Sequence, residues 1–113
     1  MGVVDRADHA LRLLQVRQKG PETGGAALLE TVRGIVGAAR PLGATVIVND
    51  RADIAAMAGA GGVHVGQDDL SPADARAITG SRAIVGVSTH TPGQIDEALA
   101  SPADYLAVGP VFL

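Results

Sequence analysis

Five short apolar runs, rich in valine, isoleucine and leucine, determine what this chain can fold into. They cover residues 13–16, 45–48, 62–65, 83–87 and 105–108, and the last four begin about twenty residues apart. That spacing leaves room for one helix between successive strands. Apolar strands alternating with helices are typical of right-handed βαβ units, in which helices cover a parallel sheet. The sequence therefore predicts an α/β fold of about five parallel βα units, in a single domain spanning residues 1–113.

Helices are predicted between these strands, over residues 26–39, 53–58, 73–79 and 94–100. The first carries its apolar side chains at helical spacing, on one stripe. Ser71 before Pro72, and Thr91 before Pro92, combine a capping hydroxyl with a proline at the first helical position. The glycine-rich stretch that begins at Gly59 is interpreted as a helix end rather than as a phosphate-binding loop.

Composition limits the classes of function. Apolar residues make up 47% of the chain and aromatic residues only 2%, so the core must be built from small aliphatic side chains. The net charge of -3 argues against nucleic acid or an anionic membrane as a partner. Without cysteine, neither disulfides nor thiolate metal sites can form. We recognise no secretory or membrane-spanning stretch in the sequence, and we therefore expect a cytoplasmic location.

Basic side chains follow the first predicted strand. Arg17 and Lys19 lie two residues apart there, so their side chains can point to the same side. The C-terminal ends of parallel strands share one face of a β/α fold, and that face carries the ligand site. Arginine can bind phosphate in a bidentate manner and lysine can bind it as a point charge. The pair therefore predicts an anion site, to which Ser88 after the fourth strand could donate a hydrogen bond.

Carboxylates follow the second and third predicted strands. Asp50 comes directly after the second strand, and Asp69 closes a Gly-Gln-Asp-Asp turn after the third. Such oxygen ligands suit Mg²⁺, which takes one or two carboxylates together with phosphate oxygens of a substrate. Each cluster alone has a simpler interpretation, because Asn49-Asp50 and the turn before Leu70 can equally be ordinary loop sequences. Their joint position on one face favours a magnesium site.

The three histidines show no spacing typical of metal ligands. His64 lies inside a predicted strand and is interpreted as a core histidine whose hydrogen bonds are satisfied. The role of His90 stays open at this point.

Five motifs occur in order along nearly the whole chain. They are LQVRQKG at 14–20, VND at 48–50, GVHVGQDDL at 62–70, VGVSTH at 85–90 and DYLAVGPVF at 104–112. Together they resemble the thiamine-phosphate synthase family. The resemblance implies a TIM-barrel enzyme that joins the pyrimidine and thiazole halves of thiamine, with a pyrimidine diphosphate and a thiazole phosphate as its small-molecule substrates.

The resemblance also implies roles for individual residues. The substrate-binding residues that it implies are Gln15, Val16, Arg17, Gln18, Lys19, Asn49 and Ser88. The ligands of Mg²⁺ that it implies are Asp50 and Asp69. It implies no catalytic side chain, because diphosphate leaves the pyrimidine methylene and the thiazole nitrogen captures the carbocation. The protein would then mainly position the substrates and neutralise the leaving group.

The chain departs from the family at its end. In the family, Gly-Pro-Val-Phe leads into a Thr-x-Thr-Lys segment that binds phosphate, whereas Leu113 follows Phe112 here. We therefore expect an incomplete barrel, without its first strand and its C-terminal strands, where a full barrel has eight. Open strand edges favour pairing between chains, so a homo-oligomer is expected.

Three other interpretations stay open. A thiazole tautomerase of the same superfamily would use His90 in proton transfer, although such proteins tend to lack the Asn-Asp and Gly-Gln-x-Asp motifs. A flavodoxin-like receiver module fits the size, but its acidic pair would follow the first strand, where Arg17 and Lys19 lie. An inactive barrel fragment would keep the motifs without the activity.

Overall fold

The computed structural model describes residues 12–17 and 24–109, and in them five parallel strands form one sheet. The strands are β1 (Leu13–Val16), β2 (Thr45–Asn49), β3 (Gly62–Val65), β4 (Ile84–Thr89) and β5 (Tyr105–Val108). Their order in the sheet follows their order in the chain. The predicted parallel α/β architecture is confirmed. A flavodoxin-like receiver would place its second strand at the edge, in the order 2-1-3-4-5, so that alternative is wrong.

Four α-helices connect the strands. They are α1 (Gly25–Ala39), α2 (Ala52–Ala58), α3 (Pro72–Thr79) and α4 (Pro92–Leu99), and a short 3₁₀-helix (Arg40–Leu42) follows α1. The two predicted caps are confirmed, because the Ser71 hydroxyl accepts a hydrogen bond from the Asp74 amide and the Thr91 hydroxyl accepts one from the Gln94 amide. Gly59 ends α2 in the left-handed conformation, at φ 71°, as its interpretation as a helix end requires.

The core lies between the sheet and the helices. Alternate strand residues, such as Val48, Val63 and Val85, are buried against α1 and its neighbours and are at most 1% exposed. The residues between them point to the opposite face of the sheet, because side chains alternate along a strand. Small aliphatic side chains therefore build the core, as the composition predicts. The opposite face receives the polar side chains.

Two strands run further than predicted. The fourth strand extends to Thr89, because Ser88 and Thr89 pair with Ala107 and Val108 of β5. Ser88 is therefore held within the sheet and does not belong to the loop that follows it. The second strand likewise includes Asn49, which pairs with His64. In the part of the chain that the structure describes, no helix has the length and apolar character needed to span a bilayer.

Candidate functional site

A pocket of about 840 Å³ opens on the sheet face turned away from the helices, and at the C-terminal strand ends. All five strands and the β3–α3 turn contribute to it. The described residues that line it are Gln15, Arg17, Asn49, Asp50, His64, Gly66, Gln67, Asp68, Asp69, Ser88, His90, Tyr105 and Ala107.

Gln15 and Asn49 connect the first two strands across the pocket face. The Gln15 side-chain amide Nε2 donates a hydrogen bond to Asn49 Oδ1 at 3.2 Å. The resemblance implies a substrate contact for both residues, and they lie side by side. Arg17 follows β1 directly and also lines the pocket, with an exposed side chain.

Asp50 lies in a turn with an unusual backbone conformation. Its φ of 69° is the only positive φ of a non-glycine residue in the described ranges. The left-handed conformation costs about 1 kcal/mol or more for such a residue, although Asp and Asn tolerate it best. The Asp50 amide donates to the carbonyl of His64 at 2.7 Å, and the Arg51 amide donates to the carbonyl of Asn49 at 2.8 Å. The first bond holds the Asp50 turn against β3, and the second closes the turn on the end of β2.

Asp69 is fixed by the turn that follows β3. Its Oδ2 atom accepts a hydrogen bond from the Gly66 amide at 2.7 Å. Gln67 of the same turn donates from Nε2 to the carbonyl of Ser88 at 2.8 Å, which fastens the turn to β4. Asp69 and Asp50 both act on the same imidazole: burial lowers the pKa of His64, and the two carboxylates oppose that effect. The two predicted metal ligands therefore share one electrostatic environment.

His64 lies between two hydroxyl groups. Its Nε2 atom is 2.6 Å from Ser88 Oγ, and its Nδ1 atom is 2.9 Å from the hydroxyl oxygen of Tyr105. Only 8% of His64 is exposed, so the interpretation as a core histidine with satisfied hydrogen bonds is confirmed. The same residue also lines the pocket, however, and it contacts a residue predicted to bind substrate. Sequence reasoning did not find Tyr105, whose position follows from its alternation with Leu106 along β5.

Six of the nine residues implied by the resemblance line this pocket: Gln15, Arg17, Asn49, Asp50, Asp69 and Ser88. Val16 packs its side chain against the core on the helix side of the sheet, so any contact it makes to a ligand in the pocket would come from its backbone. Gln18 and Lys19 lie outside the described residues.

The charges around the pocket are mostly negative. Among its described lining residues are three carboxylates, Asp50, Asp68 and Asp69, and one cation with a fixed charge, Arg17. Residues 12–17 and 24–109 contain no group of three or more His, Cys, Asp or Glu side chains arranged to hold a metal ion. However, Mg²⁺ commonly takes one or two carboxylates from the protein and completes its coordination shell with water and with phosphate oxygens of a substrate. Asp50 and Asp69 match that set of ligands. The residues present therefore fit that ion.

Comparison with known proteins gives a consistent result. The family model described as thiamine monophosphate synthase matches residues 2–113. The thiamine-phosphate synthase of Azorhizobium caulinodans is 47% identical over 112 residues, which are 97% of this chain and 53% of that protein. The thiamine-phosphate synthase of Xanthobacter autotrophicus is 46% identical, with the same shares covered.

A solved structure supports the same grouping. The thiamine phosphate pyrophosphorylase from Pyrococcus furiosus superposes with a TM-score of 0.74 at 27% identity, over 88% of this chain and 47% of that one. Its likeness to the five sequential parallel strands agrees with the predicted incomplete barrel. The chain spans about half the length of the curated relatives that it matches. With the family model covering nearly all of its residues, the chain belongs to the thiamine monophosphate synthase family.

Proposed function

We propose that this chain carries the pyrimidine-diphosphate half of a thiamine-phosphate synthase active site. In the proposed reaction, the bond between the pyrimidine methylene and the diphosphate oxygen breaks, and the diphosphate leaves with the electron pair. A new bond then forms between the methylene carbon and the nitrogen of a thiazole phosphate. The products are thiamine phosphate and diphosphate, and the protein would act as a transferase in the cytoplasm.

The observation that carries this proposal is the convergence of six side chains implied by the resemblance on one pocket: Arg17, Gln15, Asn49, Asp50, Asp69 and Ser88. Arg17 would bind diphosphate oxygens through its guanidinium group. Gln15 and Asn49 would orient the pyrimidine diphosphate, since their hydrogen bond already fixes both amides. The Ser88 hydroxyl would donate a hydrogen bond to the same substrate. These contacts position the reacting carbon and hold the leaving group.

A divalent cation belongs to this proposal for an electrostatic reason. Among the described residues, the pocket has three carboxylates and one arginine. These carboxylates would repel a diphosphate that enters the pocket unless positive charge were added. Asp50 and Asp69 would hold Mg²⁺, which when bound supplies charge neutralisation for the departing diphosphate.

The test is calorimetric titration of the chain with the hydroxymethylpyrimidine diphosphate, first with Mg²⁺ and then with EDTA. We expect binding in Mg²⁺ that weakens at least tenfold in EDTA. Asp50→Asn should weaken binding in Mg²⁺ to a similar extent, because it removes one proposed ligand.

Asp96→Asn is the matched control, because Asp96 is an exposed carboxylate of α4 that does not line the pocket. It should bind as the unsubstituted chain does. Equal affinity in Mg²⁺ and EDTA, together with no effect of Asp50→Asn, would contradict the proposed metal site. No binding by a folded chain under either condition would contradict the proposed substrate.

A further inference from the structure

The feature that goes beyond the proposed contacts is the hydrogen-bonded chain Ser88–His64–Tyr105, which runs across three adjacent strands. His64 comes from β3, Ser88 from β4 and Tyr105 from β5. The two contacts of the imidazole are 2.6 Å to Ser88 Oγ and 2.9 Å to the hydroxyl oxygen of Tyr105. One ring nitrogen is thus assigned to each hydroxyl, and both contacts occur within the pocket.

The Tyr105 side chain reaches His64 across β4 because a glycine, Gly86, occupies the position of β4 that lies between these two residues. Gly86 of β4 pairs with His64 on one side and with Tyr105 on the other. A Cβ atom at position 86 would collide with the Tyr105 ring and its hydroxyl oxygen. The ring therefore lies over the backbone of Gly86, with its centroid 5.5 Å from that of His64. This arrangement positions the phenol against Nδ1.

The direction of the hydrogen bonds follows from the chemistry of the three groups. A neutral imidazole has one N–H donor and one nitrogen acceptor. Both ring nitrogens of His64 contact neutral hydroxyl groups, and the residue is only 8% exposed, so its surroundings suit the uncharged ring. A phenol is a good donor and a weak acceptor, since its oxygen lone pair is delocalised into the ring. With Tyr105 as the donor to Nδ1, the proton of the imidazole would be on Nε2. Nε2–H would then donate to Ser88 Oγ, and the hydroxyl proton of Ser88 would be free to point into the pocket.

We propose that His64, oriented by Tyr105, is a positioning residue that makes Ser88 a hydrogen-bond donor toward the pocket. The pocket would in this way select a ligand with an acceptor atom opposite Ser88, such as a ring nitrogen or a phosphate oxygen, and disfavour one that presents an N–H there. This inference rests on the proposed function for the identity of the ligand. The direction of the hydrogen bonds does not depend on it.

The first test reads the tautomer directly. Long-range ¹H–¹⁵N correlation spectra of the ¹⁵N-labelled chain at neutral pH should show the His64 proton on Nε2, with Nδ1 unprotonated. In Tyr105→Phe that preference should be lost. A proton on Nδ1 in the unsubstituted chain would overturn the proposal, because Ser88 would then donate to His64.

The second test is a double-mutant cycle on binding of the pyrimidine diphosphate in Mg²⁺. Tyr105→Phe and Ser88→Ala should each weaken binding about five- to tenfold, as expected for one hydrogen bond. Combining them should add little to Ser88→Ala alone, because Tyr105 acts through Ser88. Fully additive losses would overturn the proposal.

Ser101→Ala is a control for the loss of a hydroxyl group elsewhere, since Ser101 Oγ donates to the carbonyl of Ala98 and does not line this pocket. It should leave both readouts unchanged. If the unsubstituted chain does not bind the diphosphate, the proposed function fails, while the tautomer still decides the direction of the hydrogen bonds.

Discussion

Gly62 occupies a position in β3 at which a side chain has no room. It pairs with Ile47 of β2 and with Ile84 of β4. A Cβ atom there would overlap the main-chain oxygen of Ile84 and would come within 2.9 Å of the Cδ1 atom of Ile47. Because the first of these is backbone, relief requires the strands themselves to move. The close approach of three strands therefore depends on this glycine.

Gly62→Ala should lower the free energy of unfolding by about 1–3 kcal/mol, the usual cost of overpacking a tight site. Chemical denaturation followed by circular dichroism would measure the change. Gly37→Ala is the matched control, because Gly37 lies inside α1 and a Cβ there meets nothing within 4 Å. It should raise stability by up to about 1 kcal/mol through helix propensity. Equal effects of the two substitutions would contradict the steric argument.

Among the pocket residues, reasoning from strand positions predicts those that lie near the C-terminal end of a strand, and few of the others. Asp50 directly follows β2 and Asp69 closes the short turn after β3, so their common position could be inferred from their places in the sequence. Tyr105 could not be found in this way. Its contact with His64 depends on the strand register and on the space that Gly86 leaves because glycine has no side chain. The sequence alone does not show which residues pair across the strands, so it does not show this contact.

Among the elements, α3 is joined to the beginnings of β4 and β5 by one arginine. The Arg76 guanidinium donates to the carbonyls of Ala83 and Pro102 and to the carboxylate of Asp104 at 2.6 Å. The same Asp104 oxygen accepts from the Val85 amide at 2.8 Å. These contacts lie at the N-terminal strand ends, opposite the pocket, and they fix where the two strands begin.

Asp104→Asn should reduce stability at neutral pH by about 1–2 kcal/mol, a moderate loss because the side chain is 47% exposed and partly screened. The Val85 amide and then Arg76 hold the pKa of Asp104 below its ordinary value of 3.8. Because the pKa of Asp104 is lower in the folded chain than in the unfolded chain, its ionised form stabilises the fold at pH values above the ordinary pKa. This stabilisation is lost as the pH falls through the pKa of the folded chain. The difference between the two proteins should therefore shrink below about pH 4.

Denaturation curves at a series of pH values measure this difference. Asp96→Asn serves as the control, because Asp96 is an exposed carboxylate on α4. A stability loss for Asp104→Asn that stays constant down to pH 2 would contradict the electrostatic explanation.

The elements themselves follow well from the sequence, and the errors have a physical cause. Strand and helix positions come from apolar runs and from caps such as Ser71 and Thr91, which act locally. The sequence predicts too early an end for β4, because Ser88 and Thr89 are polar residues of the kind that often begin a loop. Their pairing with β5 is a long-range effect that local propensity does not contain.

At the scale of the whole molecule, the two edge strands of the described sheet bear on association. In the described residues, β1 and β5 pair with a neighbour on one side only. Tyr105 and Val108 of β5 are 38% and 53% exposed, which is unusual for apolar strand residues in a parallel sheet. An edge of this kind can pair with another strand. The homo-oligomer expected from the sequence is therefore retained as a proposal.

Val108→Lys should reduce self-association of the chain, because a lysine on an edge strand opposes edge-to-edge pairing. Sedimentation velocity over a range of concentrations would measure the average mass. Met57→Lys is the control. Met57 is 59% exposed on α2, so this substitution adds the same charge away from the sheet edge. The same loss of association in both variants would point to net charge instead of the edge, and would contradict this explanation.

The Tyr105 ring has a further consequence, of a spectroscopic kind. The chain contains one tyrosine and no tryptophan. Excited at wavelengths that its one phenylalanine does not absorb, the chain therefore emits from a single fluorophore, which lies in the pocket and contacts His64. Emission intensity and lifetime of the unlabelled chain thus report on the interior of the pocket alone, and a ligand that enters can be followed in real time without attaching a dye.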